Sequence, residues 1–180
     1  MAYHPVRLAT LTTERTTLRA PHVDDAETMY DELACDPQVT RYMSWTPHRG
    51  VDETRRVITG LFNVGDDPTW LIETRDTGSF VGTCGWHRPA PHTVELGYCI
   101  ARRWWRQGIM SEVVLLLIDE ARRDRTVYRV SAYCHVDNAG SAGVLRRCGL
   151  TLEGRLARYA VFPNLSPEPQ DCLMFGRAVR

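Results

Sequence analysis

Between residues 110 and 123 the apolar positions Met110, Val113, Val114, Leu117, Ile118 and Ala121 recur three and four apart, and Glu112, Asp119, Glu120 and Arg122 take the opposite side. That spacing predicts an amphipathic helix with one stripe in a core. A second helical pattern runs over 52–62, where Val51, Ile58, Leu61 and Phe62 share a face ahead of the turn "VGDDP". Over 23–34 a helix opens on Asp24, Asp25 and Glu27, carboxylates that suit the positive end of the helix dipole, and Pro37 closes the region. Three β-rich runs, "TWLIET", "SFVGTCGWH" and "TVELGYCIA", are separated by "RDTG" and "RPAPH", the pattern of an antiparallel meander. "ERTTLRAP" reads as a short strand and "TVYRVSAYCHV" as a buried one. A helix over 141–148 ends at Gly149, a residue that takes a left-handed cap without steric penalty, and two last strands flank "FPNLSPEPQ". The order of elements gives a mixed α/β (α+β) class around one sheet, with residues 1–180 as one domain.

Charge narrows the choice of partner. The 22 basic and 22 acidic residues cancel, so no strong field favours nucleic acid or an anionic membrane. Every basic side chain is arginine, uniformly along the chain, which reads as composition bias and not as mechanism. The cysteines Cys35, Cys84, Cys99, Cys134, Cys148 and Cys172 are scattered singly, without C-x-x-C spacing, as expected of reduced thiols in the cytoplasm. "MAYHPVRLAT" lacks an apolar signal core, and no run approaches the roughly 18 apolar residues of a spanning helix. The histidines His4, His22, His48, His87, His92 and His135 lack zinc-binding spacing and read as surface or loop residues, so no metal is expected.

Chemistry enters at "WWRQGIMSEVV". A strand ending near Ile100, a turn containing Arg106, Gln107 and Gly108, and the helix after it leave main-chain N–H groups unpaired at a helix N-terminus. The helix dipole adds about half a positive charge there, and a residue without Cβ lets anionic oxygens approach the amides. Arg106 and Arg103 stand beside that site with full charges. The bland alternative is that Gly108 only permits a tight turn and the tryptophans cap a core.

A second cluster lies in "HVDNAGSAGVLRRCGLTLEGR", and a third in "TERTTLRAPHVDDAETMYDELACDPQVTRYMSW". With "VELGYCIARRWWRQGIMSEVV" and a late Asp171, these segments fall in the order found in one family. The chain resembles the GNAT superfamily of acyl-CoA-dependent N-acetyltransferases, and within it the RimJ/RimL-type branch. The resemblance implies a mixed, mostly antiparallel central sheet, split near its middle, with helices on both faces, and acetyl-CoA as co-substrate. It puts Tyr98, Cys99 and Ile100 on a splayed strand whose backbone pairs with the pantetheine arm. It wraps the pyrophosphate in the main-chain amides of Arg106, Gln107, Gly108, Ile109, Met110 and Ser111, with Arg103 beside them. Asn138 would orient the pantetheine or a water, and Ser141 would face the sulfur. The sequence departs from the branch at Arg106, where glycine is usual, and at Met110, where glycine or alanine is usual. Leu145 stands where many members carry a tyrosine acid, which leaves Ser141 for that role.

Acetyl transfer from a thioester to an amine needs a neutral amine, a stabilised oxyanion and a proton for the thiolate. Glu95, one residue before "LGY", is the candidate base through a water, and an exposed strand carboxylate is the alternative. A main-chain N–H near Cys99 or Ile100 is the oxyanion donor, and Ser141 is the acid or only a helix N-cap. An α-amino group titrates near pH ~8 and is about one tenth neutral at pH 7, whereas a lysine near ~10.4 is less than a thousandth neutral. A site with one carboxylate therefore suits a protein N-terminus, with polyamine or antibiotic amines as the alternative acceptors. "MSWTPHRG" and "FPNLSPEPQ" would border the acceptor, and the late strands leave a homodimer open.

Three other classes compete. "AGSAG" nearly matches a hydrolase nucleophile elbow, but such a hydrolase needs a histidine after its serine and the last histidine is His135. Arg102 to Arg106 form an isolated basic patch, poor support for tracking nucleic acid in a neutral chain. A non-catalytic acyl-CoA sensor on the same fold is separated from an enzyme only by turnover.

Overall fold

A computed structural model describes residues 8–65 and 67–180. Eight strands form one sheet: β1 (Leu11–Thr12), β2 (Thr16–Arg19), β3 (Thr69–Thr74), β4 (Phe80–Ala90), β5 (Thr93–Ile100), β6 (Arg129–His135), β7 (Thr151–Val161) and β8 (Pro169–Ala178). Their spatial order is β1-β2-β3-β4-β5-β6-β8-β7. Every neighbouring pair is antiparallel except β5 with β6, which run parallel. The helices are α1 (Ala26–Met29), α2 (Pro37–Thr40), α3 (Val51–Gly60), α4 (Ile109–Arg123) and α5 (Ala139–Arg147). This is the mixed, mostly antiparallel sheet expected from the sequence.

The three middle strands read as near-continuous apolar runs because both of their faces are covered. Leu71 and Ile72 are sequence neighbours, as are Phe80 and Val81, yet each pair divides between two cores on opposite faces. Strand side chains alternate faces, so only a sheet layered on both sides buries both members. One core gathers Leu18, Ile72, Val81 and Val94 under α4 and α5. The other joins Leu71, Phe80 and Cys99 to Met29, Leu33 and Ile58 from the α1 and α3 side. In α4, Val113, Val114 and Leu117 are fully buried. Each such side chain stabilises the fold by about 1.5–3 kcal/mol relative to exposure.

Local chemistry revises three sequence-based expectations. The expected strand in "ERTTLRAP" is β2, and a second, unexpected strand, β1, precedes it, the chain folding back where the Thr13 N–H donates to the Thr16 carbonyl at 2.9 Å. The 23–34 segment is helical but irregular, passing from a 3-10 turn over Val23–Asp25 through α1 into a π turn over Tyr30–Ala34. Pro37 opens a helix and does not close one: Asp36 accepts from the Gln38 N–H at 2.8 Å, and proline suits the first helical turn, where its missing N–H has no partner to lose. Gly149 ends α5 in the left-handed conformation, φ +77°, as expected.

The feature that creates a site is the junction of β5 and β6. They pair only at Thr93 with Arg129, Val94 with Val130, and Glu95 with Ser131. Beyond Glu95, β5 keeps pairing with β4, while β6 pairs with β8 from Ala132 to His135. The sheet opens into a V whose apex is Glu95.

Candidate active site

At the open end of the V, β5 leads through Arg102–Trp104 into α4. Both tryptophans brace this connection: the Trp104 Nε1–H donates to the Phe80 carbonyl at 2.8 Å and the Trp105 Nε1–H to the Ile100 carbonyl at 2.9 Å. Arg106 and Gly108 have positive φ, +62° and +79°, which turns the chain so that successive N–H groups point outward. Among the described residues nothing accepts from the main-chain N–H groups of Arg106, Gln107, Gly108, Ile109 or Met110, and α4 has no side-chain cap. Unmet donors at the start of a 15-residue helix are the geometry that suits an anion. The Ser111 N–H is already taken by the Gly108 carbonyl at 3.0 Å, so the run of free amides stops at Met110. Ile109 and Met110 send their side chains into the core, so the methionine does not crowd the turn.

Arg15 was missed from sequence. From the turn between β1 and β2 its guanidinium donates to the Gln107 carbonyl at 3.0 Å and to Glu112 Oε1 at 2.8 Å. It pins the turn and offsets the carboxylate that α4 carries in its first turn. Its distance of 92 residues from Gln107 leaves no local sequence signal. Arg103, in contrast, is drawn away from the amides. Its guanidinium pairs with Glu32 at 2.7 Å and donates to the Phe80 carbonyl at 3.1 Å.

Inside the V the strand ladder sorts the β5 backbone. The Ala101 N–H donates to the Val81 carbonyl, and Thr83 pairs with Cys99, so in antiparallel alternation Cys99 turns its N–H and C=O toward β4. A Cβ added at Gly82 would stand 2.2 Å from the Cys99 carbonyl oxygen, which requires glycine at that crossing. Tyr98 and Ile100 turn their polar groups toward the gap, with the Ile100 carbonyl already held by Trp105. Cys99 is buried and its thiol is pushed up to about 12 by desolvation, so it remains an uncharged core residue.

The Tyr98 side chain spans the gap to α5. Its hydroxyl lies 2.8 Å from Ser141 Oγ, and the Ser141 N–H donates to Asn138 Oδ1 at 3.1 Å as the helix cap. Asn138 therefore spends its side-chain oxygen on fixing α5, and Ser141 is both capped and bridged to Tyr98. Burial raises the Tyr98 hydroxyl well above the usual tyrosine range and keeps it protonated. Leu145 is fully buried in the core.

On the opposite face of the sheet, Glu95 lies at the floor of a cleft of about 350 Å³ lined by Met43, Trp45, Asp67, Thr69 and His87 among others. Its side chain is 9% exposed, and burial raises its pKa above the ordinary glutamate value, partly offset by His87. It is not the solvated strand carboxylate of the bland reading. His87, its cross-strand partner, places Nε2 3.5 Å from Glu95 Oε1. Tyr133 and Tyr159, stacked edge to face at 5.1 Å, lie close enough to Glu95 for its charge to raise both phenols. The two loops expected near the acceptor are tied together by Asn164, whose Nδ2 donates to the carbonyls of Thr40 at 2.6 Å and Trp45 at 2.8 Å. Of the histidines read as surface or loop residues, His48 lies in a loop but is buried against Thr54 at 2.7 Å, and His135 is buried in β6, stacked on Tyr42. His4 lies outside the described residues.

Comparison with known proteins identifies the class to which a sheet opened at one carboxylate, with an amide-lined turn beyond the opening, belongs. The model of the acetyltransferase (GNAT) domain matches residues 15–151, and the chain belongs to that family. It is 32% identical over 157 residues to the N-acetyltransferase p20 of Bacillus licheniformis, covering 84% of this chain and 88% of p20. The fold is shared with RimL, a ribosomal L7/L12 alpha-N-protein acetyltransferase solved with coenzyme A, at TM-score 0.82 and 22% identity over 95% of this chain and 98% of RimL. It is shared too with the spermidine N-acetyltransferase of Vibrio cholerae, solved with CoA and spermine, at TM-score 0.77 and 15% identity over 92% and 96% of the two chains. The protein is thus a GNAT-family N-acetyltransferase.

Proposed function

We propose that the chain transfers acetyl from acetyl-CoA to a protein N-terminal α-amino group by direct attack in a ternary complex. The observation that carries this reading is the position of Glu95: the residue at the apex of the V is also the buried carboxyl at the floor of the open cleft, so base and acyl slot adjoin. The free amides from Arg106 to Met110 fit a diphosphate, and the side chain of Arg106 adds charge at the same turn. Tyr98 and Ile100 offer main-chain groups to a pantetheine amide along the unpaired edge of β5.

When bound, acetyl-CoA supplies an activated acyl carbonyl and a thiolate leaving group. Glu95, its pKa raised by burial, takes a proton from the ammonium form of the acceptor, and a carboxyl titrating closer to neutrality does so better. Main-chain N–H groups of β5 that face the gap hold the negative charge that develops on the carbonyl oxygen. The Tyr98 and Ser141 hydroxyls, 2.8 Å apart, form a pair that can pass a proton to the departing sulfur and recover one from the amine that has just formed the N–C bond. RimL, by name an alpha-N-protein acetyltransferase, supports the α-amino acceptor. So does the acid-base arithmetic, since an α-amine near pH ~8 yields to a single modest base. A second reading, a polyamine acceptor, is favoured by Asp67, a further carboxylate lining the same cleft, and by the spermidine enzyme among the structural neighbours.

Thiol release from acetyl-CoA, measured with Ser- and Ala-initiated peptides, N-blocked lysine peptides, spermidine and an aminoglycoside, tests the proposal. Fastest release with free N-termini is expected, and fastest release with spermidine would move the assignment to polyamines. Acetyl-CoA at a hundred times its dissociation constant should add about 2.7 kcal/mol of stability. No thermal shift at millimolar acetyl-CoA would remove the co-substrate.

A further inference from the structure

The cleft holds a second titratable side chain that nothing above uses. His87 stands directly across the ladder from Glu95, on the same face of the sheet, and both line the same cleft. Their exposures differ sharply: the Glu95 side chain is 9% accessible and that of His87 is 54%. The distance between His87 Nε2 and Glu95 Oε1 is 3.5 Å, about half an ångström beyond a hydrogen bond. A small rotation of the half-exposed ring, or one water, spans that gap. A buried base that takes a proton on every turnover must also lose it, and Glu95 has few routes to solvent. Toward β6 and β7 lie Tyr133 and Tyr159, phenols that burial, with a smaller contribution from the Glu95 charge, keeps protonated and that cannot accept the proton. Asp67, at the cleft wall, lines the approach of the acceptor.

We infer that His87 is the proton exit of this site, taking from Glu95 the proton removed from the acceptor and delivering it to bulk water. The inference rests on the assignment of Glu95 as base. The steps balance: the acceptor ammonium gives one proton to Glu95 Oε1, the carboxyl passes it to the lone pair of His87 Nε2, and the imidazolium releases it to water. The neutral amine then forms the N–C bond as the C–S bond breaks, and the second proton it sheds ends on the departing thiolate, so one ammonium and one acetyl-CoA give one amide, one free thiol and the one proton released through His87.

Two measurements on the full chain test this. The first needs no acceptor: the Glu95 carboxyl is titrated by carbon-13 NMR in the parent protein and in His87→Gln. Loss of the imidazole should move the Glu95 midpoint upward, because His87 opposes the effect of burial. An unmoved midpoint would overturn the relay. The second uses the amine that gives the fastest thiol release in the panel above. His87→Ala should lose about tenfold in rate, less than the hundredfold or more expected for a direct base, at unchanged KM for acetyl-CoA. Added imidazole should restore most of that loss in His87→Ala and none in His87→Gln, where the amide fills the space. A His87→Ala rate within twofold of the parent, or a loss that imidazole does not repair, would also overturn it. Glu95→Gln separates the two claims. Full activity in that variant removes the base and the relay together, whereas an inactive Glu95→Gln beside an unimpaired His87→Ala removes only the relay.

Discussion

The turn at the start of α4 and the cleft around Glu95 are built by opposite means. The turn is almost wholly local: its donors are consecutive main-chain N–H groups, and one distant side chain, Arg15, pins it. The cleft is assembled from the loop after α2, the start of β3, and strands β4 and β5, with the tyrosines of β6 and β7 close by. A turn made of backbone tolerates side-chain change as long as the dihedral angles survive. A cleft made of side chains changes its chemistry with every substitution. The first suits a ligand common to a family, and the second suits an acceptor that differs between members.

Substitutions at the two regions should therefore fail differently. The largest expected effect is at Glu95→Gln, which should lower kcat by about a hundredfold or more while acetyl-CoA still stabilises the protein in a thermal-shift titration. The same variant should be more stable than the parent at pH 7–8. A carboxyl whose pKa is raised in the fold is protonated natively while the unfolded chain has already ionised, so its contribution is lost as pH rises above the ordinary value of 4.5. The gain in melting temperature should vanish below that pH.

At the turn, Gly108→Val should cost about 1–3 kcal/mol of stability, since φ +79° is strained for a β-branched residue, and should raise KM for acetyl-CoA with little change in acceptor preference. Arg106→Gly should separate backbone from charge. It relieves a left-handed arginine, worth about 1 kcal/mol in chemical denaturation, yet weakens acetyl-CoA binding by removing a cation, so stability and affinity should move in opposite directions. A fall in both would mean that Arg106 holds the turn by contacts beyond its φ.

The smallest effect concerns the acceptor loop. His48 is buried against Thr54, and desolvation lowers its pKa below the ordinary 6.5. The unfolded chain therefore binds a proton first as pH falls, and stability should decline from about pH 6.5 downward. His48→Gln should flatten that part of the curve in melting temperature against pH.

The three-and-four repeat from Met110 to Ala121 and the apolar runs of β3, β4 and β5 predicted their elements to within a few residues, because burial of one stripe or of alternating faces is written in consecutive positions. The free amides of the turn were legible for the same reason: a glycine before an amphipathic helix constrains the backbone locally. Glu95 could be singled out as a carboxylate but not as a buried one, since its burial depends on β4, β6 and the loop after α2, which are remote from it in sequence. His87 was read correctly as an exposed residue at the end of a strand, but its position across the ladder from Glu95 depends on the β4–β5 register and could not be read from the sequence.

The sequence by itself thus determined most of the elements, their order and the glycine turn before α4, which follow from dihedral preference and hydrophobic period over short spans, and it carried the family resemblance in the order of its motifs. Only the tertiary structure decided where the sheet opens, that Arg15 and Asn164 act as braces, and that a carboxyl and an imidazole meet in one cleft. Those meetings depend on strand order and register across gaps of tens of residues, and burial, which sets the chemistry of each group, is a property of the folded neighbourhood and not of the residue.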